Sequence, residues 1–207
     1  MRPARGPPPR GGGAAGRAVG AGAPPPRAPH AEPVPADQLL DALAEPLSAI
    51  HRIPGSHAGR LAGARRHNTW RDYLHDRLDA YTATAPDLAR AALGLRHELD
   101  TITVNIEPRL LHHDLQVGHL VCVSGGLLID WELAAFGDPL SDLARLAVRL
   151  GLPDPVELLS LAQQQDSAAA RRMKLYWRIH RLADAAFNTD PEMRSRAWDL
   201  IRPRRVL

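Results

Sequence analysis

The sequence predicts a mostly α-helical α+β domain with one small β-hairpin near its middle. Apolar residues recur at helical spacing over most of the chain after residue 37. This spacing is broken between residues 109 and 130, where two short apolar runs flank a Ser124-Gly125-Gly126 turn. Apolar residues make up 44% of the 207 residues and aromatic residues only 4%, so we expect a core built mainly from Leu, Ala and Val.

The first 36 residues differ in composition from the rest of the chain. They contain ten Pro and seven Gly, nearly half of the segment. Pro lacks a backbone N–H and Gly loses the most entropy on ordering, so such a segment does not build packed elements. We interpret residues 1–36 as a disordered segment rich in Pro, Gly and Arg, and residues 37–207 as one folded domain.

Three helices are predicted before the hairpin. Apolar residues at helical spacing predict the first over residues 39–50, with Pro46 inside it. The second is expected to run from a capping box at Thr69 to residue 81, and the third from Pro86 to residue 99.

The hairpin is predicted from residues 119–123 and 127–129, which lead to Asp130. After it, apolar spacing predicts a helix over residues 139–150. Further helices are expected over 155–165, 168–187 and 191–201. We interpret five aromatic residues of these helices as core packing: Trp70, Tyr73, Tyr81, Trp177 and Trp198.

Composition excludes several classes of protein. Cys122 is the only cysteine, which excludes an intramolecular disulfide and a zinc site built from several thiolates; we interpret it as a small buried hydrophobic residue. No apolar run approaches the roughly 18–20 residues that cross a bilayer, and no secretory signal is recognisable. We therefore expect a cytoplasmic protein with no membrane partner.

Charge is distributed unevenly along the chain. Residues 1–36 carry a net charge of +4, residues 37–170 carry −7 and residues 171–207 carry +6. The two ends account for the excess of basic residues, so a uniformly basic body that binds nucleic acid is not indicated. Of the 26 basic residues, 25 are Arg, and Lys174 is the only lysine.

Residues that can carry chemistry cluster around the hairpin. Asp114 and His119 stand at its start, and Asp130 stands at its end. A hairpin returns the chain on itself, so we expect these three side chains to converge. Two carboxylates with a third donor suit a hard cation such as Mg²⁺, and a carboxylate that is not bound to the metal can accept a proton from a hydroxyl. Phosphoryl transfer requires these groups.

The same residues lie in a motif series that resembles the aminoglycoside phosphotransferase-like family, which includes choline, homoserine and hygromycin kinase relatives. The series consists of Leu111-His112-His113-Asp114, Gly118-His119, Ile129-Asp130-Trp131-Glu132, Gly137-Asp138-Pro139 and Asp142-Leu143-Ala144. The resemblance implies the protein-kinase fold, with residues 37–207 as its C-terminal lobe. It also implies Mg²⁺ and ATP or GTP as cofactors, and phosphoryl transfer to a hydroxyl of a small molecule, either an antibiotic or a metabolite.

The resemblance also implies a role for each residue at the site. Asp114 aligns with the catalytic base, and Asp130 aligns with the aspartate that holds Mg²⁺. His119 stands where the family has a metal-binding Asn. The remaining positions are structural or supporting: His112 is the structural histidine of the catalytic loop, Asp142 is the aspartate that braces this loop, and Glu132 is a further acid near the metal.

One departure from the family concerns its N-terminal lobe, which carries a phosphate-covering loop and a lysine. Because the only lysine follows Asp114 by 60 residues, the resemblance implies a C-terminal lobe with the N-terminal lobe missing. Three explanations stay open. The chain is a truncated or degraded gene product, it receives the lobe from a separate chain, or it is a non-catalytic descendant.

Two other functions compete with the phosphotransferase. One is a non-catalytic remnant or binding module of the same fold. The other is a metal-dependent phosphohydrolase of the HD type, built from His51, His113, Asp114 and Asp142, which would require a helix over residues 110–118; His51 otherwise reads as a structural histidine. For a phosphotransferase, the net charge of +6 over residues 171–207 favours a neutral or anionic acceptor over a polycationic aminoglycoside.

Overall fold

A computed structural model of the chain describes residues 36–102, 106–121, 127–162 and 165–188, together with residues 190, 192, 194 and 195. All of them belong to one compact unit, Ala31–Leu207. Apart from Ala36, the segment predicted to be disordered lies outside the described residues. The same holds for Cys122, Trp198 and most of the helix predicted over 191–201.

Five α-helices in the described residues confirm the predicted helical framework. They are α1 (Ala36–Ile50), α2 (Trp70–Thr84), α3 (Ala89–Thr101), α4 (Leu140–Arg149) and α5 (Ser167–Phe187). The predicted cap of α2 is present, because the Thr69 hydroxyl oxygen accepts a hydrogen bond from the Asp72 backbone N–H at 3.1 Å. None of the described helices has the length and apolar character needed to cross a membrane.

Short 3-10 segments account for two differences from the predicted helices. Pro86–Leu88 forms a 3-10 turn that leads into α3. Pro155–Leu161 forms a 3-10 helix where an α-helix was expected over 155–165. Its Asp154 cap, which accepts from the Val156 N–H at 3.0 Å, fixes the start of this tighter segment.

The strands comprise the predicted hairpin and a sheet that sequence reasoning missed. In the hairpin, β3 (Leu120–Val121) pairs antiparallel with β4 (Leu127–Leu128). A three-stranded antiparallel sheet has the order β1-β5-β2, from Gly59–Arg60, Ala135–Gly137 and Arg109–Leu111. The expectation of a single hairpin was therefore incomplete. Strands of two or three residues from distant segments are too short to show an alternating pattern.

The core lies where α5 packs against α2, α3 and α4. Trp70 lies at its centre, stacked on Tyr73 with ring centroids 4.8 Å apart. Trp70, Tyr73, Tyr81 and Trp177 are all buried, which confirms their predicted role in core packing.

Gly137 is needed where β5 meets this core. A Cβ atom at this position would lie 2.3 Å from the Trp70 ring, closer than any real contact. The strand can therefore pass over the indole only without a side chain. This close approach positions the Gly137-Asp138-Pro139 corner, from which α4 enters the site.

Candidate active site

The loop between β2 and β3 carries three of the six predicted site residues, His112, Asp114 and His119. It begins after Leu111 and ends with a 3-10 turn, Val117–His119. His113 on this loop has φ of 65°, and Asp130 after β4 has φ of 64°. Left-handed backbone is unfavourable for residues other than glycine, and such strain concentrates at functional sites.

Asp142 braces this loop from α4. Its carboxylate is fully buried and accepts the backbone N–H groups of His112 at 3.0 Å and His113 at 2.7 Å. The same carboxylate accepts a third hydrogen bond, from His51 Nε2 at 3.0 Å. His51 directly follows α1, so one buried acid joins three distant parts of the chain. The contact gives His51 a specific partner that sequence reasoning did not assign to it.

His112 ties the loop to the strand that precedes Asp130. Its ring is fully buried, and Nε2 donates to the Ile129 carbonyl oxygen at 2.8 Å. The ring also lies 4.8 Å from the Trp131 ring. The predicted structural position of His112 thus coincides with a link between the two halves of the site.

The carboxylate of Asp114 is held by two arginines of α4. Its Oδ1 atom accepts hydrogen bonds from Arg145 Nε and Nη2, both at 3.4 Å, and from Arg149 Nη2 at 3.1 Å. Burial by itself raises the pKa of Asp114, but the hydrogen bond from Arg149 and the charge of Arg145 outweigh it and hold the pKa below its usual value. The carboxylate is therefore ionised at neutral pH.

The other carboxylate oxygen of Asp114 has a different environment. Among the described residues, no donor contacts Oδ2, whereas all three arginine contacts converge on Oδ1. A carboxylate that is fixed through one oxygen can accept a proton from a bound hydroxyl at the other.

Sequence reasoning missed both arginines. Arg145 and Arg149 follow Asp142 by three and seven residues, so helical spacing places all three side chains on one face of α4. The face that braces the loop therefore also contacts Asp114. This spacing is a signal in the sequence that could have identified them.

His119 connects Asp114 to Asp130. Its Nδ1–H donates to the Asp114 carbonyl oxygen at 2.9 Å, and its Nε2 lies 3.3 Å from Asp130 Oδ2. Gln116 also contacts Nε2. The structure thus brings His119 and the Asp130 carboxylate together as predicted, whereas the Asp114 carboxylate faces the arginines of α4.

The donors at Asp130 fit part of a magnesium site. The Asp130 Oδ2 atom lies 3.3 Å from His119 Nε2, and the Asp130 side chain is 45% exposed. Mg²⁺ in nucleotide sites is held by one or two carboxylates, with phosphate oxygens and water as its other ligands. In the described part of the chain, no group of three or more His, Cys, Asp or Glu residues forms a closed metal site. Glu132 is exposed, and none of the described residues forms a side-chain hydrogen bond or ion pair with it.

Asp138 anchors the corner before α4 to α5. Its Oδ2 accepts hydrogen bonds from Tyr176 Oη at 2.9 Å and Arg172 Nε at 3.0 Å, while Oδ1 accepts the Leu140 N–H at 3.1 Å. Burial, together with the negative charge of Asp138, raises the pKa of Tyr176 well above its usual value. The corner is therefore a rigid support for the helix that carries Asp142 and the two arginines.

Two buried histidines lie behind the loop. The rings of His113 and His180 are 5.5 Å apart, and His180 Nε2 lies 3.1 Å from the Ser141 carbonyl oxygen. Burial, with the charge of Arg145, lowers the pKa of His180 to about 3. Burial and the neighbouring His180 lower the pKa of His113 well below its usual value. Both rings are neutral at physiological pH.

Comparison with known proteins assigns the chain to a family. A sequence profile for phosphotransferase enzymes matches residues 15–176. The chain belongs to the phosphotransferase enzyme family. The resemblance stated from the motif series is therefore confirmed. No curated protein sequence matches the chain at a significant level.

Solved structures of this family share the fold. A thermostable mutant of aminoglycoside phosphotransferase APH(4)-Ia in its apo form is 21% identical, with a TM-score of 0.54 over 82% of this chain and 67% of that one. Choline kinase LicA from Streptococcus pneumoniae is 18% identical, with a TM-score of 0.57 over 79% and 63%. A protein assigned as a fructosamine-3-kinase from Haemophilus somnus 129PT is 14% identical, with a TM-score of 0.61 over 81% and 63%.

At these identities the likeness establishes the fold alone. The predicted fold class, mostly α-helical and protein-kinase-like with a small β-hairpin, is confirmed, and the three-stranded antiparallel sheet adds to it. The chain spans about two thirds of the length of these solved structures. The expected absence of an N-terminal lobe stays a prediction.

Proposed function

We propose that the protein transfers the terminal phosphoryl group of ATP or GTP to a hydroxyl of a small molecule. Asp114 is the catalytic base in this proposal. Solved structures with the same fold were determined with ADP and hygromycin B in one case and with GDP in another, which supports a nucleotide and a hydroxylated acceptor as the two ligands. We place the reaction in the cytoplasm.

The observation that carries the proposal is the state of Asp114. Its carboxylate is ionised, is held through Oδ1 by two arginines, and has Oδ2 without a protein donor among the described residues. Catalysis of phosphoryl transfer consists mainly of positioning and electrostatic stabilisation. In our proposal Oδ2 orients the acceptor hydroxyl and receives its proton.

The surrounding residues support this base. Asp142 fixes the loop by accepting its backbone N–H groups, and His112 joins the loop to the strand before Asp130. Asp130 and His119 would hold Mg²⁺ against the nucleotide phosphates. When bound, the ion neutralises charge that develops on the phosphates. Glu132 lies exposed nearby and would act through water.

A nucleotide-binding module without transfer activity is the second candidate. It is favoured by the position of Lys174, the only lysine, which lies on α5 and pairs with Asp154 at 3.1 Å rather than facing Asp114. A phosphotransferase of this family would then need its phosphate-binding lysine from a separate lobe. The HD-type phosphohydrolase is disfavoured, because residues 112–116 are not helical.

Substitution of the base tests the first candidate. Asp114→Asn keeps an oxygen for Arg145 and Arg149 but loses the proton acceptor, so transfer to an acceptor should fall by about 10²–10⁴-fold. Nucleotide affinity should stay unchanged. Transfer is measured as radiolabelled phosphate incorporated from nucleotide into a panel of hydroxylated compounds. Unchanged turnover in Asp114→Asn would show that another group is the base.

Ligand-dependent stability separates the two candidates. Both predict a rise in melting temperature with Mg²⁺ and nucleotide together, and Asp130→Ala should remove this rise. Only the phosphotransferase also predicts phosphorylated acceptor. Asp100→Ala is the matched control, because Asp100 is an exposed aspartate of α3 that contacts a histidine, His75, and has no assigned role in the site. Equal loss of the melting-temperature rise in both variants would contradict the metal role of Asp130.

A further inference from the structure

We infer that the hydroxyl acceptor is an anion, and that Arg149 binds its carboxylate or phosphate group beside Asp114. The inference rests on the proposed function and names the class of its substrate. It follows from the unequal bonding of the two arginines at the base.

The guanidinium of Arg145 is bonded to two carboxylates of the protein. Its side chain is nearly buried and donates to Asp114 Oδ1 and, from Nη1, to Asp184 Oδ1 at 2.7 Å. Two carboxylates on two different elements thus balance and orient this guanidinium. Arg145 therefore holds Asp114 in place and has little capacity left for a ligand.

Arg149 is bonded much more sparsely. It lies in the last turn of α4, its side chain is 35% exposed, and among the described residues its only polar partner is Asp114 Oδ1 at 3.1 Å. A guanidinium has five N–H donors in a planar fork that matches a carboxylate or a phosphate. One end of Arg149 is thus fixed at the base, while its other donors stay available to an anion from solvent.

The electrostatic surroundings favour an anion over a cation. Burial first, and then the charges of Arg145, Arg60 and Arg149, keep the pKa of the neighbouring His180 far below its usual value. These guanidinium charges disfavour a further positive charge at His180. At the base, Asp114 and Asp184 balance the charges of Arg145 and Arg149, so an anion is favoured over a cation by the available N–H donors of Arg149 and not by a net positive charge.

The short distance between Arg149 and Asp114 also limits the shape of the acceptor. Arg149 Nη2 is 3.1 Å from Oδ1, and Oδ2 of the same carboxylate is the proposed proton acceptor. One molecule that satisfies both groups must carry its hydroxyl within a few bonds of its anionic group. Hydroxy acids and phosphate esters of small polyols meet this requirement.

Binding of four small probes tests the inference. Glycerate, glycerol 3-phosphate, glycerol and choline all carry a hydroxyl and differ in charge. Isothermal titration of the full chain, with Mg²⁺ and a non-hydrolysable nucleotide present, should give at least one of the two anions an affinity about tenfold or more above those of glycerol and choline. Comparison of the two anions distinguishes a carboxylate from a phosphate acceptor.

Variants locate the anion site. Arg149→Met should lower the affinity for the preferred anion about tenfold or more and leave nucleotide affinity unchanged, and Arg149→Lys should retain part of it. Arg178→Met is the matched control, because Arg178 is a half-buried arginine of α5 that pairs with Glu98 and contacts neither Asp114 nor Asp184. It should bind the anion like the native chain.

Three results of the probe titration would overturn the inference: tighter binding of choline than of either anion, equal binding of all four probes, or no binding of either anion. A fourth result, from the variants, would be an equal loss of anion affinity in Arg149→Met and Arg178→Met. Nucleotide binding measured alone separates this failure from failure of the proposed function. If nucleotide binds and the anions do not, only the anionic acceptor is refuted. If an anion binds and nucleotide does not, the anion site is retained and the phosphotransferase function is refuted.

Discussion

The two halves of the site are built differently. On the α4–α5 side, Asp114, Asp138 and Asp142 are buried, and each accepts at least two hydrogen bonds from backbone groups or side chains. On the hairpin side, Asp130 is largely exposed and its only partner among the described residues is His119. The side chains of the α4–α5 half are fixed by hydrogen bonds, whereas the Asp130 side chain of the hairpin half has few contacts among the described residues.

This difference follows from the cost of burying a charge. A carboxylate is tolerated in a core only when donors satisfy it, and those donors then become rigid parts of the structure. An exposed carboxylate keeps its water and needs no such partners. We therefore expect the half at Asp114 to be formed before any ligand binds, and the half at Asp130 to depend on its ligand for order.

The two halves should differ most in how much stability is lost when an aspartate is replaced by alanine. Asp142→Ala leaves the backbone N–H groups of His112 and His113 and the imidazole N–H of His51 buried without an acceptor. The free energy of unfolding should fall by about 3 kcal/mol or more. Asp130→Ala should change it by less than about 1 kcal/mol. Urea unfolding midpoints measure both, and equal losses would show that the halves are equally organised.

A fall in pH should destabilise the buried half of the site, where His180 lies. The pKa of His180 is lowered to about 3, whereas in the unfolded chain it is about 6.5. The unfolded state therefore binds the proton first, so stability is complete above pH 6.5 and is lost as pH falls toward 3. At pH 5 the loss from this group is about 2 kcal/mol.

Melting temperatures between pH 8 and pH 4 measure this loss, with His180→Gln as the comparison. The variant should show a shallower decline below about pH 6.5, because it has one fewer buried histidine that takes up a proton on unfolding. Hydrogen exchange at pH 5 should accelerate first in α4 and α5. A native profile that matches the variant would contradict the assignment.

Two glycines give a smaller test of packing on the two sides. Gly137→Ala places a Cβ 2.3 Å from the Trp70 ring and should lower the free energy of unfolding by about 1–3 kcal/mol. Gly118→Ala meets no atom within 4 Å and should stay within about 0.5 kcal/mol of the native chain. Thermal unfolding of both variants makes the comparison. A larger loss of stability in Gly118→Ala than in Gly137→Ala would contradict the tight packing of Gly137 against Trp70.

The smallest expected effect is a change in hydrogen exchange when nucleotide and Mg²⁺ bind. Backbone amides of residues 127–130 and of the Val117–His119 turn should gain protection from hydrogen exchange, because the ligand orders the hairpin side. Amides of α4 should change little, since Asp142 and Asp138 already hold its surroundings. Protection confined to α4 would reverse the proposed division.

Much of this site could be predicted from the sequence. The series around Asp114, Asp130 and Asp142 predicted the family, and the profile match over residues 15–176 confirms it. Helical periodicity predicted the five α-helices of the described residues, since it depends only on neighbours along the chain. The hairpin was found from its turn residues and short apolar runs.

Other features were decided only by the tertiary structure. The sheet of Gly59–Arg60, Arg109–Leu111 and Ala135–Gly137 joins segments that carry no pattern of their own. The hydrogen bond from His51 to Asp142 spans 91 residues, and the bonds from Arg145 and Arg149 to Asp114 span 31 and 35.

The physical reason is that sequence patterns report local forces. Spacing along α4 places Asp142, Arg145 and Arg149 on one face, but it cannot tell which loop that face meets. That meeting is set by the packing of α4 on α5 and by the Asp138 corner. The sequence by itself therefore determined the family and predicted the acids of the candidate site, and the packing of its helices determined that Asp114 is bound by two arginines.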